Sequence, residues 1–188
     1  VFMVDMHESL MPFEKTGLLF RNFFAYGESH YLKQNWSELS FSPTELNAKQ
    51  WLEVEYDFNR LFVGPSALLA PPYASVYLGD EPLVLRATTL DVRELMQTLG
   101  VKVNRDENTP DDHISYELEL VVLLLMNVRR NAGFLPFLQR FFSQHLTLWV
   151  PVFIEKITNN ASTALMRKAA LELSHWFDEL KTRVCYEQ

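Results

Sequence analysis

Little in this chain can close a covalent bridge or hold a metal. Its one cysteine, Cys185, excludes an internal disulfide and any cysteine-built zinc or iron–sulfur site, and it suits a reducing compartment. The six glycines, at 17, 27, 64, 79, 100 and 133, are too scattered to form a phosphate-cradling loop. No G-x-S-x-G nucleophile elbow and no H-E-x-x-H zinc helix is present. Positive charge is in the minority: 17 Lys and Arg stand against 24 Asp and Glu, a net charge of −7. That balance argues against nucleic acid, whose phosphates need clustered cations, and tolerates a basic partner. Long hydrocarbon runs are also missing. The most apolar stretch, "LVVLLLM" from Leu120 to Met126, falls far short of the roughly 20 residues that cross a bilayer. It reads as a buried helix, so no membrane insertion is expected. The chain opens "VFMVDMHESL", without the basic flank and apolar core of an export signal, which makes the cytoplasm the expected location.

What the sequence does have is aromatic residues at helical spacing. Its 188 residues suffice for one domain with a full core, and 13% of them are Phe, Trp or Tyr, so that core should be aromatic-rich. "FEKTGLLFRNFFAYGESHYLK" repeats aromatics and leucines three and four apart and predicts a helix. "SPTELNAKQWLEVEYDFNRLF" predicts a second, opened by Ser42, Pro43 and Thr44. Along it Trp51, Val54, Phe58, Leu61 and Phe62 form one stripe, while Glu45, Glu53, Asp57 and Arg60 fall mostly away from it. "VGPSALLAPPYASVYLGDEP" then breaks the pattern with Gly64, Pro65, Pro71, Pro72, Gly79 and Pro82 and reads as a long loop. It is too apolar to be disordered, so its tyrosines either finish the core or line a groove. Helix resumes at "TTLDVRELMQTLG", capped by Thr89 and stopped by Gly100, and the polar connector from Val101 follows. Beyond it, Pro136 and Pro151 should divide the stretch after Gly133, and a last helix covers Ser162 to about Val184. No segment alternates strictly, so the fold class is all-α: one helical bundle over residues 1–188, with a candidate hinge at 101–110.

The most pointed stretch is "TPDDHISYELE", Thr109 to Glu119. Thr109 as N-cap, Pro110 at the first helical position and Asp111 and Asp112 in the first turn predict a helix running to about Asn131. His113 fits less easily, because the dipole that favours acids at a helix N-terminus disfavours a cation. It is expected to be neutral or paired with an acid. Glu117 lies one turn later, within reach of His113. That pair would supply two metal ligands but no third. As acid–base machinery Asp112 and His113 are poorly arranged, since neighbours on a helix point about 100° apart and no nucleophile accompanies them. A polar end on an otherwise buried helix either meets water or faces a ligand. His7, His30, His145 and His175 show no ligand spacing with one another and read as structural or surface residues.

Three segments, taken together, carry a resemblance. "YDFNRLFVGP" (Tyr56–Pro65), "APPYASVYL" (Ala70–Leu78) and "TPDDHISYELE" are similar, in order and spacing, to segments of the TorD/DmsD/NarJ family of redox-enzyme maturation chaperones. The resemblance covers residues from about 50 to 125. It implies a small all-helical cytoplasmic chaperone of the TorD-like type, not an enzyme. Such a chaperone binds the twin-arginine signal peptide, or the apo form, of a molybdopterin-containing oxidoreductase and delays its Tat export until the cofactor is inserted. The other branch of the resemblance implies a NarJ-like assembly chaperone that binds folded enzyme subunits. No cofactor is implied; GTP binding has been suggested for some relatives, but no P-loop stands here. Either a monomer or a helix-swapped dimer fits. Carried over residue by residue, the peptide site comprises Phe58, Phe62, Pro72, Tyr73, Ser75, Tyr77, Asp112, His113 and Glu117. Thr109 departs from the pattern, because many relatives carry glutamate there; Glu107 is the nearest substitute. Chemically, a guanidinium pair followed by an apolar run calls for carboxylates beside an aromatic groove.

Overall fold

The computed structural model describes residues 10–39, 45–78 and 112–186. Among the described residues eight α-helices run in order: α1 (Pro12–Ala25), α2 (Ser29–Leu39), α3 (Ala48–Phe62), the short α4 (Ala74–Leu78), α5 (Ile114–Arg130), α6 (Leu135–Phe141), α7 (Thr147–Asn160) and α8 (Ala164–Tyr186). A 3₁₀ turn at Ala132–Phe134 and a π turn at Phe142–Leu146 join the later ones. Among the described residues there is no strand, and no helix is long and apolar enough to cross a membrane. The all-α expectation therefore holds.

The elements follow from their sequences, with instructive shifts in where they begin and end. The first aromatic-rich stretch forms two helices instead of one, separated at Gly27. A Cβ on Gly27 would lie 2.8 Å from the Phe58 ring, so the chain can turn there only because glycine lets α3 approach. α3 starts at Asn47, whose side chain accepts from the Gln50 amide while Gln50 accepts from the Asn47 amide; Ser42 to Thr44 lie outside the described residues. The long loop is not wholly irregular, since Ala74–Leu78 coils into α4. Pro151 does not end a helix: it sits exposed inside α7, and the helical run before it is interrupted only by the π turn at Phe142–Leu146. The "TTLDVRELMQTLG" helix, the hinge at 101–110, Glu107 and Thr109 lie outside the described residues.

α5 is the axis of the bundle. Leu118 and Leu120 to Leu124 are all under 5% exposed, the mark of a helix enclosed on every side, with α1 lying along it. Each such side chain contributes about 1.5–3 kcal/mol by leaving water. α8 is pinned back to α1 by Trp176, which stacks on Phe13 with centroids 5.0 Å apart and donates its indole N–H to the Phe13 carbonyl at 3.1 Å.

Asp57 reverses its sequence reading. Expected on the solvent side of α3, it is 2% exposed and organises the start of α8. Its carboxylate accepts from the amides of Ser162 and Thr163 at 2.9 and 2.7 Å and from the Thr163 hydroxyl at 2.8 Å, and Arg60 pairs with it at 2.9 Å. Burial pushes its carboxyl up, but Arg60 and the two amides outweigh this and hold it below its ordinary value. A carboxylate that satisfies the free amides of one helix from another belongs inside, whatever stripe it interrupts.

Candidate functional site

The proline-rich segment and the polar start of α5 are joined by main-chain pairing. Ile114 N–H donates to the Pro72 carbonyl at 2.8 Å and Ala74 N–H donates to the Asp112 carbonyl at 3.0 Å, an antiparallel bridge that sets Tyr73 opposite His113. This pairing explains why α5 starts at Ile114 and not near Pro110. His113 is extended, at φ −70° and ψ 139°, so that this stretch can pair, and extended backbone cannot also be helix. Asp112 consequently leaves the first turn of α5 and serves α4, its Oδ2 accepting from the Ser75 amide at 2.9 Å.

His113 replaces Thr109 as the cap of α5. Its Nδ1 accepts from the Ser115 amide at 3.2 Å and lies 2.7 Å from the Ser115 hydroxyl. An Nδ1 that accepts from an amide leaves the ring proton on Nε2. Burial lowers the imidazole from its ordinary value to about 4, against the opposing pull of Asp112, so the ring is neutral near pH 7. This meets the expectation that a histidine at a helix N-terminus avoids charge. Tyr73 meets the His113 ring edge-on, centroids 5.2 Å apart at 72°.

These residues border a pocket of about 200 Å³ between α1, α3 and α5. Its lining includes Phe58, Phe62, Tyr73 and His113 from the sequence-derived set, with Tyr26, Val63, Ser115 and Tyr116 beside them. Two further charged residues line it: Arg21 from α1 and Glu119 from α5, their nearest atoms 3.6 Å apart. Sequence reasoning singled out neither. The signal available was Glu119 itself, a second acid in "ISYELEL". Residues two apart on a helix point about 200° away from each other, so Glu117 and Glu119 cannot serve one face.

Glu117 takes the other side. Its Oε1 is 2.6 Å from His145 Nε2 and its Oε2 accepts from the Trp149 indole N–H at 3.0 Å, deep among α5, α7 and the π turn. Burial drives its carboxyl above the ordinary value, only partly offset by His145 and Trp149. The expected His113–Glu117 contact is thus replaced by two separate pairings, and Glu117 stands apart from the pocket. The remaining predicted residues frame the site without lining it. Pro72 is buried with its carbonyl in the bridge, and Ser75 is exposed with its amide on Asp112. Tyr77 donates its hydroxyl to the Pro71 carbonyl at 2.8 Å and packs on Trp149, and burial raises its phenol well above the ordinary value.

Comparison with known proteins places this geometry in context. The family model described as "Nitrate reductase delta subunit" matches residues 28–155. The Tat proofreading chaperone DmsD of Salmonella typhi is 32% identical over 127 residues, 65% of this chain and 60% of that protein. The chaperone protein TorD of Vibrio cholerae serotype O1 (strain M66-2) is 35% identical over 125 residues, 63% and 56% of the two chains. The probable Tat proofreading chaperone DmsD of Haemophilus influenzae is 26% identical over 144 residues, 74% and 67%. The aligned part spans about three fifths of the first two relatives.

Proposed function

The chain belongs to the nitrate reductase delta subunit family, which takes in the TorD and DmsD chaperones, and from that premise we propose that it is a cytoplasmic chaperone in redox-enzyme maturation, without enzymatic activity. It binds the twin-arginine signal peptide of a molybdopterin-containing oxidoreductase and holds the precursor back from Tat export until its cofactor is in place. One observation carries this reading: main-chain pairing of 72–74 with 112–114 draws Tyr73 and His113 to the wall of a single aromatic pocket, with Asp112 one residue away.

The chemistry suits such a peptide. Asp112 spends Oδ2 on Ser75, and its Oδ1 takes no bond among the described residues, so a guanidinium can share the carboxylate. His113, neutral and fixed by Ser115 through its Nδ1, holds that acid and Tyr73 in register. The apolar run after the arginines has exposed hydrocarbon to follow, because Val63 and Tyr26 at the pocket are 63% and 39% exposed and Tyr56 and Leu52 continue along α3. A net charge of −7 favours a basic peptide in solution.

Calorimetry with a signal peptide tests the reading. Asp112→Asn keeps an oxygen for the Ser75 amide while removing charge, and Tyr73→Ala removes an aromatic wall; each should weaken binding about tenfold, or about 1.4 kcal/mol. Replacing both peptide arginines by lysine should do at least as much. Unchanged affinity in both protein variants removes the site assignment. A chain that ignores the isolated peptide but retains the full-length oxidoreductase in a pull-down belongs to the NarJ-like alternative, which recognises folded subunits.

A further inference from the structure

Tyr73 is preceded by two prolines, and they limit how its main chain can be tied down. Pro71 and Pro72 have no N–H, so only their carbonyls can be bonded. The Pro72 carbonyl accepts from Ile114 N–H at 2.8 Å, across the bridge to α5. The Pro71 carbonyl turns back to its own segment and accepts from the Tyr77 hydroxyl at 2.8 Å. Tyr77 stands on a helix of five residues, too short to hold a side chain still by itself. Its ring needs an outside support.

Trp149 supplies that support. Its indole packs on the Tyr77 ring with centroids 5.6 Å apart at 31°, and Lys156 lies 5.3 Å from the centroid of the same ring. The indole N–H donates to Glu117 Oε2 at 3.0 Å, which fixes the plane of the indole as packing alone would not. His145, four residues earlier and so on the same face, meets the other oxygen of Glu117 at 2.6 Å. A proton on His145 Nδ1 would be a buried donor with no acceptor among the described residues, so the proton lies between Nε2 and Glu117. The contacts close a ring: Glu117, Trp149, Tyr77, the Pro71–Pro72 carbonyls, and Ile114 on the same helix as Glu117. None of Glu117, Trp149 and Tyr77 lines the pocket, yet the ring carries Tyr73 and His113, which do. We infer that Trp149 is a positioning residue for the peptide site: anchored on Glu117, it holds Tyr77 and, through the Pro71 carbonyl, keeps Tyr73 opposite His113. The inference rests on the signal-peptide reading for what the site binds; the hold on the bridge can be measured without any peptide.

Amide hydrogen exchange and peptide titration test it together. Trp149→Phe keeps a ring against Tyr77 and removes the N–H, and Tyr77→Phe keeps the packing and removes the hydroxyl. Benzothienylalanine at position 149, which has the shape of tryptophan without the N–H, serves if Trp149→Phe does not fold. Leu173→Ala is the control, a fully buried change in α8, which gives the pocket no residue. In both ring variants the Ala74 and Ile114 amides, which bond across the bridge, should exchange about tenfold faster relative to amides in the middle of α5; in Leu173→Ala that ratio should stay at the parent value. Titrated with the signal peptide at a temperature where all are folded, each ring variant should bind about tenfold weaker. The double variant should bind no worse than the weaker single one, because the two residues act in series, and Leu173→Ala should bind like the parent. Unchanged exchange at Ala74 and Ile114 in the ring variants overturns the inference, as does an effect of Tyr77→Phe that Trp149→Phe does not share. Parent-like affinity in both ring variants, where the parent binds, overturns it too. Faster exchange at the bridge with no peptide bound by any chain, the parent included, upholds the positioning and removes the signal-peptide reading instead.

Discussion

Two buried carboxylates sit on one helix, two residues apart, and they face different surroundings. Glu117 faces inward and both its oxygens are used at short range, by His145 at 2.6 Å and Trp149 at 3.0 Å. Glu119 faces the pocket, with the guanidinium of Arg21 held 3.6 Å away. Burial is nearly the same, 5% and 3% exposed, so burial does not distinguish them. What differs is direction: Glu117 points into the core toward Trp149, and Glu119 lines the pocket. A buried polar group that only stabilises a fold has its bonds completed within the fold, because each unmade bond is costly.

The comparison breaks most visibly at Glu117. Glu117→Ala strands a histidine nitrogen and an indole N–H in the core, and should cost about 3–5 kcal/mol of stability in urea unfolding. The same change at Glu119 should cost less, since water entering the pocket can reach the groups it leaves behind. Equal losses at the two positions would mean that the pocket gives water no access to the partners of Glu119.

His113 gives the next effect, and its sign follows from its neutrality. Its folded value, about 4, lies below the ordinary 6.5, so protonation favours the unfolded chain. The contribution is fully present above pH 6.5 and is lost as pH falls from 6.5 toward 4. Between pH 7.5 and 4.5 it amounts to about 2–3 kcal/mol. His113→Gln should remove that part of the pH dependence, so the difference in urea midpoint between parent and variant should shrink or invert toward pH 4.5. A difference independent of pH would show that the ring titrates as it does in water.

The sequence reports these features unevenly, for physical reasons. Helical spacing made α1, α3, α5 and α8 visible because their apolar residues recur three and four apart, and a buried face must recur with the helix itself. The start of α5 was read too early. Thr109, Pro110 and two acids have the chemistry of a cap, but the pairing of 112–114 with 72–74 is a contact between distant segments and overrides it. Phe58, Phe62, Tyr73 and His113 were legible as a group only through resemblance, since nothing local tells that α3, the proline-rich segment and α5 converge. Asp57 and Glu117 were misplaced for a common reason. A carboxylate looks exposed until its partners are known, and theirs are 105 and 28 residues away. Arg21 was passed over because a lone arginine in an amphipathic helix ordinarily faces water.

Two glycines offer the finest test, because a methyl group on either would crowd a ring, in different places. A methyl group on Gly17 would lie 2.7 Å from the Trp176 ring and 2.8 Å from Val122; one on Gly27 would lie 2.8 Å from the Phe58 ring. Either alanine substitution overpacks the core and should cost about 1–3 kcal/mol. Only Phe58 borders the pocket, and packing against Phe23 and Phe62 limits where its ring can go. Gly27→Ala should therefore narrow the pocket and weaken signal-peptide binding by roughly tenfold, about 1.4 kcal/mol, measured at a temperature where both variants are folded. Gly17→Ala should bind like the parent. Equal affinity in the two variants would place the peptide elsewhere, because strain of the same size would then have been applied at the pocket wall without consequence.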